Sequence, residues 1–358
     1  MLTLLEFHKT LGASFGTVNG VEVVTHYGDK LAEHAVLCRG AGALDLSFRG
    51  RLCLTGTERA RFLHGQVTND INGLAVGEGC YAALVTAKGR MQSDLNIYRL
   101  ADELLLDFEP GLNGKVSQRL EQFIVADDVQ VVEVAPHYGL LSVQGPKAEE
   151  AVWGLEMFKA LPAKPFNSVA VDDPILGELY LMNQPRFGTR GYDIFVPTGA
   201  MRAVADKLLA SLKVLGGRAC GWEALEIARI EAGVPRFDAD MDETNLPLEC
   251  GIERRAVSYT KGCYLGQEII NRVHTQGHVN KEVRGLRFAD DLQSVPSKGD
   301  KLFHTGKEVG YITSAVWSPA FKASIALGYV RREANAPGTK LVVRTTAGER
   351  QATVTALA

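Results

Sequence analysis

Residues 261–272 read KGCYLGQEIINR. Gly262 and Gly266 free the backbone on either side of Cys263 and Tyr264, and Gln267, Glu268, Ile269 and Ile270 read as the start of a helix. Cys263 then lies just before a helix N-terminus. Both the helix dipole there and the Lys261 ammonium favour the thiolate, the form in which a cysteine acts as nucleophile or metal ligand. The same letters also suit a plainer part, with Cys263 a buried turn residue and the glycines serving tight packing. Further on, His274 and His278 stand four apart, a spacing that on a helix could ligate a metal. Gly277 between them and the polar run TQGHVN predict a loop instead, and no metal site is expected.

Upstream, the pattern from Arg49 runs strand (Arg51 to Leu54), Gly56, then a helix with Thr57 as N-cap and Glu58 in its first turn. A hairpin follows: Tyr81, Ala83 and Val85 alternate along one strand, Ala87-Lys88-Gly89-Arg90 turns the chain, and Leu95 and Ile97 alternate along the return. ELLLDF is a strand, Val116, Leu120, Phe123 and Ile124 sit at helical spacing, and VQVVEV is a strand again. A weaker copy of this order begins at Gly139 with GLLSVQGPKAEEAV, then GELYLMN, GYDIFVP and a helix from about Met201. Two related α+β units are therefore expected, each an antiparallel sheet with helices on one face. From about Val283 the segments GLRF, DKLFH, VGYITSAVW, SIALGYVRR and TKLVVRTT are short strands separated by Gly, Pro and Lys, the spacing of a small β-barrel.

A chain of 358 residues exceeds one ordinary core, and two or three domains are expected. With 46% hydrophobic and 23% charged residues and a net charge of −3, the balance is that of a globular protein without general attraction to nucleic acid. The start, MLTLLEFHKTLGASFG, lacks a basic region before a long apolar one, and no run reaches membrane-span length, so a cytoplasmic protein with no membrane partner is expected. Six cysteines (Cys38, Cys53, Cys80, Cys220, Cys250, Cys263) without a C-x-x-C pair indicate neither a disulfide framework nor a zinc site. No Walker loop and no G-x-G-x-x-G between strand and helix is present.

The segment KGCYLGQE carries every letter of K-G-C-[YF]-x-G-Q-E, the signature of the YgfZ-type folate-binding proteins, which include mitochondrial iron–sulfur assembly factors. The likeness extends along nearly the whole chain to their parent group, the glycine-cleavage T-proteins. HYGDKLAEHAVLCRGAGALDLS, GTERARFLHGQVTND, EIARIEAGVPRFDADMDETNLPLE and YITSAVWSPAFKASIALGYV resemble T-protein segments in the same order. Where T-proteins continue after MDE with an F-I-G-K-E-A-L-like run, this chain has KGCYLGQE, which resembles the YgfZ branch.

The resemblance implies a three-domain cloverleaf: residues 1–48 and 138–240 in one α+β unit, 49–137 and 241–282 in a second, and 283–358 as a β-barrel. It also implies tetrahydrofolate, or a one-carbon derivative, as ligand. Asp193 in GYDIF stands where T-proteins carry a glutamate that accepts the paired N–H donors of a pterin, and is one methylene shorter. Asp94 matches the aspartate that faces the folate N10; it lies opposite Leu95 and Ile97 on its strand, so its side chain need not enter the core. Tyr81 matches a tyrosine near the ligand. Arg186 stands at a pterin-pocket tyrosine, Leu225 replaces an arginine, and Arg49 and Trp222 are further folate-contact candidates.

Two functions follow from the resemblance. One is a tetrahydrofolate-binding accessory protein that supports assembly or repair of iron–sulfur clusters in client enzymes, with transient partners and Cys263 as the reactive group. One thiolate cannot hold a cluster alone, so any cluster contact is shared. The other is a folate-dependent aminomethyl transferase of the T-protein type with Asp94 as polar catalyst and KGCYLGQE purely structural. A scaffold that folate merely stabilises is the third reading.

Overall fold

The computed structural model describes residues 3–289, 295–345 and 348–357; Met1, Leu2, Ala358 and Thr346, the last letter of TKLVVRTT, lie outside them. The chain separates into two compact units, one of Met1–Ala82 with Asp94–Ala228, the other of Ala83–Ser93 with Arg229–Ala358.

The first unit is built on two large sheets, beside a two-stranded N-terminal hairpin. One has the strand order Gly79–Val85, Met91–Arg99, Leu104–Phe108, Gly50–Thr55, Gln130–Glu133. The tip of its first hairpin, residues 83–93, goes with the second unit. The other has the order Ser168–Asp173, Gly177–Asn183, Gly191–Pro197, Tyr138–Gln144, Gly42–Asp45, Arg218–Ala219. The first four places correspond one to one, so the expected internal copy exists as a repeated topology. The fifth place is exchanged. Gly42–Asp45 precedes the first copy yet pairs in the second sheet, and Gln130–Glu133 precedes the second copy yet stays in the first. The predicted all-antiparallel arrangement fails at one edge, where Arg218–Ala219 runs parallel to Gly42–Asp45.

Alternation along each strand decides which side chains meet. In Gly191–Pro197, Tyr192, Ile194 and Val196 enter a core with Leu141, Val143, Leu179 and Leu181, covered by helices Ala148–Trp153 and Met201–Val214. Asp193 and Phe195 project from the opposite face. Leu95 and Ile97 are fully buried, with Asp94, Asn96 and Tyr98 on the other side of their strand.

Two local expectations change, and some elements were not foreseen. The helix after Gly56 spans Arg59–Gln66 with Glu58 at its N-cap, because Thr57 gives its hydroxyl to Asp128 instead. The helix carrying Val116 and Leu120 is Asn113–Glu121, so Phe123 and Ile124 lie beyond it and Phe123 is exposed. The N-terminal hairpin Ser14–Val18 and Val21–His26, the strand Ser168–Asp173 and the final strand Gly348–Thr355 were not legible as separate elements.

In the second unit a closed six-stranded barrel runs Lys281–Phe288, Ala323–Arg331, Lys307–Ser318, Lys301–His304, Lys340–Thr345, Gly348–Thr355. Closure removes free sheet edges. Inward side chains Leu286, Phe288, Leu302, Ile312, Val330 and Val343 form its core. The predicted architecture of two related α+β sheet units and a C-terminal β-barrel is thus present. Among the described residues no helix is long and apolar enough to cross a membrane.

Candidate functional site

In the first unit the polar faces of the two sheets meet in a chain of buried charges. Asp107 on Leu104–Phe108 is fully buried and accepts hydrogen bonds from Arg49 Nε at 2.7 Å, Asn96 Nδ2 at 2.8 Å and Arg186 Nη2 at 3.3 Å. Arg49 also donates through Nη1 to Glu109 at 2.6 Å. Arg186 donates to both oxygens of Asp193, Nε to Oδ1 at 3.2 Å and Nη2 to Oδ2 at 2.5 Å. A sequence of carboxylate, guanidinium, carboxylate, guanidinium, carboxylate results. Each charge loses its water but gains a charged partner, the condition under which buried ions are tolerated.

These pairings set the protonation of the cluster. Although burial works the other way, Arg49 and Arg186 hold the Asp107 carboxyl below the usual carboxylate range. Burial, the largest influence on Asp193, holds its carboxyl above that range against the pull of Arg186.

At the end of this chain, Asp94 is half-buried and its Oδ2 accepts the Tyr81 hydroxyl at 2.8 Å. Burial first and the neighbouring Glu109 second raise its carboxyl to about 6, against the Tyr81 hydrogen bond and the Arg49 charge. A carboxyl poised there can both give and take a proton near neutral pH, which an ordinary solvated aspartate does poorly.

Six folate-contact residues were expected, and the structure joins five of them: Tyr81 with Asp94, and Arg49 and Arg186 with Asp193 through Asp107. For Asp193 the arrangement differs from the expectation. The side chain is fully buried and the acceptor edge meant for a pterin is taken by Arg186. Trp222 is a buried aromatic that packs edge-on against Phe48 at 5.4 Å. Leu225 is buried on the same helix, Trp222–Glu231. Sequence reading missed Asp107, Glu109 and Asn96. Their signal was present, since Asp94 with Asn96, and Asp107 with Glu109 just past its strand, place polar groups two positions apart on the face away from Leu95, Ile97 and Leu106.

In the second unit KGCYLGQE forms a turn into the helix Gln267–Gln276. Gly266 caps that helix at φ +85°, and a Cβ there would lie 2.4 Å from the Thr86 carbonyl oxygen and 3.2 Å from Gly89 Cα, so a glycine is required on both counts. Cys263 is exposed, four positions before Gln267 and so short of the cap. Lys261 is buried, its Nζ 4.8 Å from the Tyr264 ring centroid, a cation–π contact. Tyr264 is buried, Gly262 and Glu268 are exposed, and Gln267 Nε2 donates to the Gly262 carbonyl at 3.5 Å. Burial pushes the thiols of Cys53 and Cys220 far up and that of Cys250 to about 12. The loop expected around the two histidines begins later than predicted. His274 belongs to the helix, stacks on Tyr259 at 3.8 Å and shares a hydrogen bond with Glu253, while His278 lies past the terminal Gly277.

The profile of the GCVT N-terminal domain matches residues 4–261, and that of the glycine cleavage T-protein C-terminal barrel domain matches residues 281–358. The aminomethyltransferase of Symbiobacterium thermophilum is 29% identical over 351 residues, covering 95% of this chain and 92% of the relative. That of Bacillus subtilis is 26% identical over 339 residues, covering 94% and 92%. The solved glycine cleavage system aminomethyltransferase T of Bartonella henselae superposes with a TM-score of 0.87 at 22% identity, over 99% of this chain and 96% of that one, which establishes the shared fold.

Proposed function

The chain belongs to the glycine cleavage T-protein family, whose aminomethyltransferases use tetrahydrofolate as one-carbon acceptor, and from that premise we propose a folate-binding accessory protein of the YgfZ type that serves iron–sulfur client enzymes. The observation that carries this reading is the exposed Cys263 on a turn built for presentation. Lys261 and Tyr264 anchor it from the buried side, and Gly266 fixes its exit into the helix. A thiolate offered there is a soft ligand suited to iron and sulfide shared with a partner.

A reduced folate fits the chemistry of the donor set. The half-buried Asp94 with a carboxyl near neutrality and the Tyr81 phenol offer an acceptor, a proton and an aromatic edge to a ligand rich in ring N–H groups. Tetrahydrofolate, when bound, supplies a nitrogen that accepts a one-carbon group. Tyr81 orients the Asp94 carboxyl, which holds or releases a proton at Oδ. Asp193 serves Arg186, and Arg186 fixes the wall of the site. The Asp94 arrangement also favours a second reading, aminomethyl transfer, because a carboxyl at about 6 is suited to proton exchange at the transferring nitrogen.

The two readings part at Cys263. In a strain lacking this protein, Cys263→Ser is expected to fold and bind tetrahydrofolate yet fail to restore iron–sulfur enzyme activity. The purified wild type is expected to show no turnover with an aminomethylated lipoyl carrier protein. Full restoration by the serine variant, together with carrier-dependent turnover, would transfer the assignment to the aminomethyltransferase.

A further inference from the structure

The facing sheets of the first unit enclose, beyond the charge chain, a cleft of 680 Å³. Its position follows from strand register. On the five-stranded sheet the cross-strand pair Arg51 and Asp107 belongs to the charged region, and two residues further along the same face the pair Cys53 and Leu105 lines the cleft. On the six-stranded sheet Asp193 likewise gives way to Phe195, which is paired with Tyr180. Tyr98 meets Phe195 edge-on at 6.4 Å. Tyr98 stands four residues from Asp94 on one strand, so the cleft lies towards the opposite end of that strand from the candidate folate site.

The lining is apolar and aromatic, with Leu105, Phe195, Tyr138 and Tyr180 as its main surfaces, the two tyrosine rings 6.1 Å apart. Its charged members are all acidic: Asp102, Glu103 and Glu178, with the His137 imidazole beside them; among the described residues no lysine or arginine lines it. The carboxylates bear on the cleft itself. After burial, Glu103 and Glu178 help to raise the Cys53, Tyr138 and Tyr180 acids. A concave apolar space with a few convergent polar groups is the general form of a small-molecule site. Electron-rich rings beside uncompensated carboxylates select a cation.

We propose that this cleft is a second binding site, separate from the folate site, for a small amphiphilic organic cation: an apolar or aromatic body of about ten heavy atoms carrying one ammonium group. The body packs on Leu105, Phe195 and the tyrosine faces. The ammonium lies between Glu103 and Glu178.

Three probes of one shape and different charge test this on the full chain at pH 7.5: phenethylamine, 2-phenylethanol and 3-phenylpropionate, with affinities from saturation-transfer NMR. Phenethylamine is expected to bind about five- to thirtyfold more tightly than the alcohol, the gain of an ammonium placed between two partly exposed carboxylates. The propionate is expected not to bind. Glu103→Gln with Glu178→Gln should erase the preference for the amine while leaving the weak alcohol binding. Ala170→Trp, which fills the cleft from an exposed strand position, should abolish both. Equal affinity of amine and alcohol, binding of the propionate, unchanged amine affinity in the double variant, or no binding of any probe below 10 mM overturns the assignment. The folate site is untouched by these substitutions, so tetrahydrofolate binding measured in parallel reports separately on the proposed function.

Discussion

Asp94→Asn keeps the shape of the side chain and its ability to accept the Tyr81 hydroxyl, and removes one negative charge. In the wild type the carboxyl is raised from 3.8 to about 6 by burial and by Glu109. At about 1.36 kcal/mol per pKa unit the full shift corresponds to about 3 kcal/mol. Because Asp94 is only half-buried, solvent screening brings the expected effect to about 1 to 2 kcal/mol. The sign follows from linkage: between pH 4 and 6 the folded carboxyl holds a proton that the unfolded one has lost, so the wild type loses stability as pH rises through this window. The asparagine variant has no such loss. Its melting temperature should match the wild type near pH 4 and exceed it above pH 6.5, by about 3 to 6 °C for a unit of this size. Differential scanning calorimetry of both proteins from pH 4 to 8 measures the difference, in which the titrations of the other carboxylates largely cancel. A difference that stays flat with pH, or a variant less stable at pH 7, would refute the raised carboxyl and with it the acid–base role of Asp94.

Arg186→Met leaves Asp193 and one side of Asp107 without their guanidinium in a dry site. Breaking such a pair costs about 3 to 5 kcal/mol, so the melting temperature should fall sharply, and a variant as stable as wild type would show that the Arg186 pairing contributes nothing. Gly266→Ala forces a side chain to φ +85° with its Cβ 2.4 Å from the Thr86 carbonyl oxygen. The expected cost is at least about 1 to 2 kcal/mol, with faster amide exchange in the 86–90 turn as the local readout; unchanged exchange there would dismiss the packing of the two turns. Alkylation by iodoacetamide under native conditions should modify the exposed Cys263 well before the buried Cys53, Cys220 and Cys250, and equal rates would remove the case for a presented thiol.

Period and punctuation made most of the fold legible. Tyr81, Ala83 and Val85 facing Leu95 and Ile97 across a Lys-Gly turn define a hairpin without knowledge of its surroundings, and the recurrence of strand, Gly-x and helix near Gly139 disclosed the duplication. What escaped was decided by partners distant in sequence. Thr57 is a sound N-cap by type, but Asp128, far along the chain, accepts its hydroxyl. The exchange of Gly42–Asp45 between the two sheets depends on pairing with Tyr138–Gln144, about a hundred positions away. Short segments carry no mark of such pairing.

The candidate site shows the same division at the level of single side chains. Position within a strand told that Asp94 points away from Leu95 and Ile97, and resemblance supplied Tyr81, Asp193 and Arg186. Neither told that Asp193 and Arg186 saturate one another, because that depends on the burial of both and on Asp107 standing opposite. The consequence reaches function. Asp193 and Arg186, the two positions that the resemblance marks as departures from a T-protein glutamate and tyrosine, bind each other and make one paired unit. A ligand that used this carboxylate would have to displace Arg186 from it in a dry pocket and leave that guanidinium with Asp107 alone, at a cost of about 3 to 5 kcal/mol for a broken buried pair. Under the proposed folate reading, recognition at this site therefore falls to Asp94 and Tyr81, while Arg186 and Asp193 hold the wall behind them.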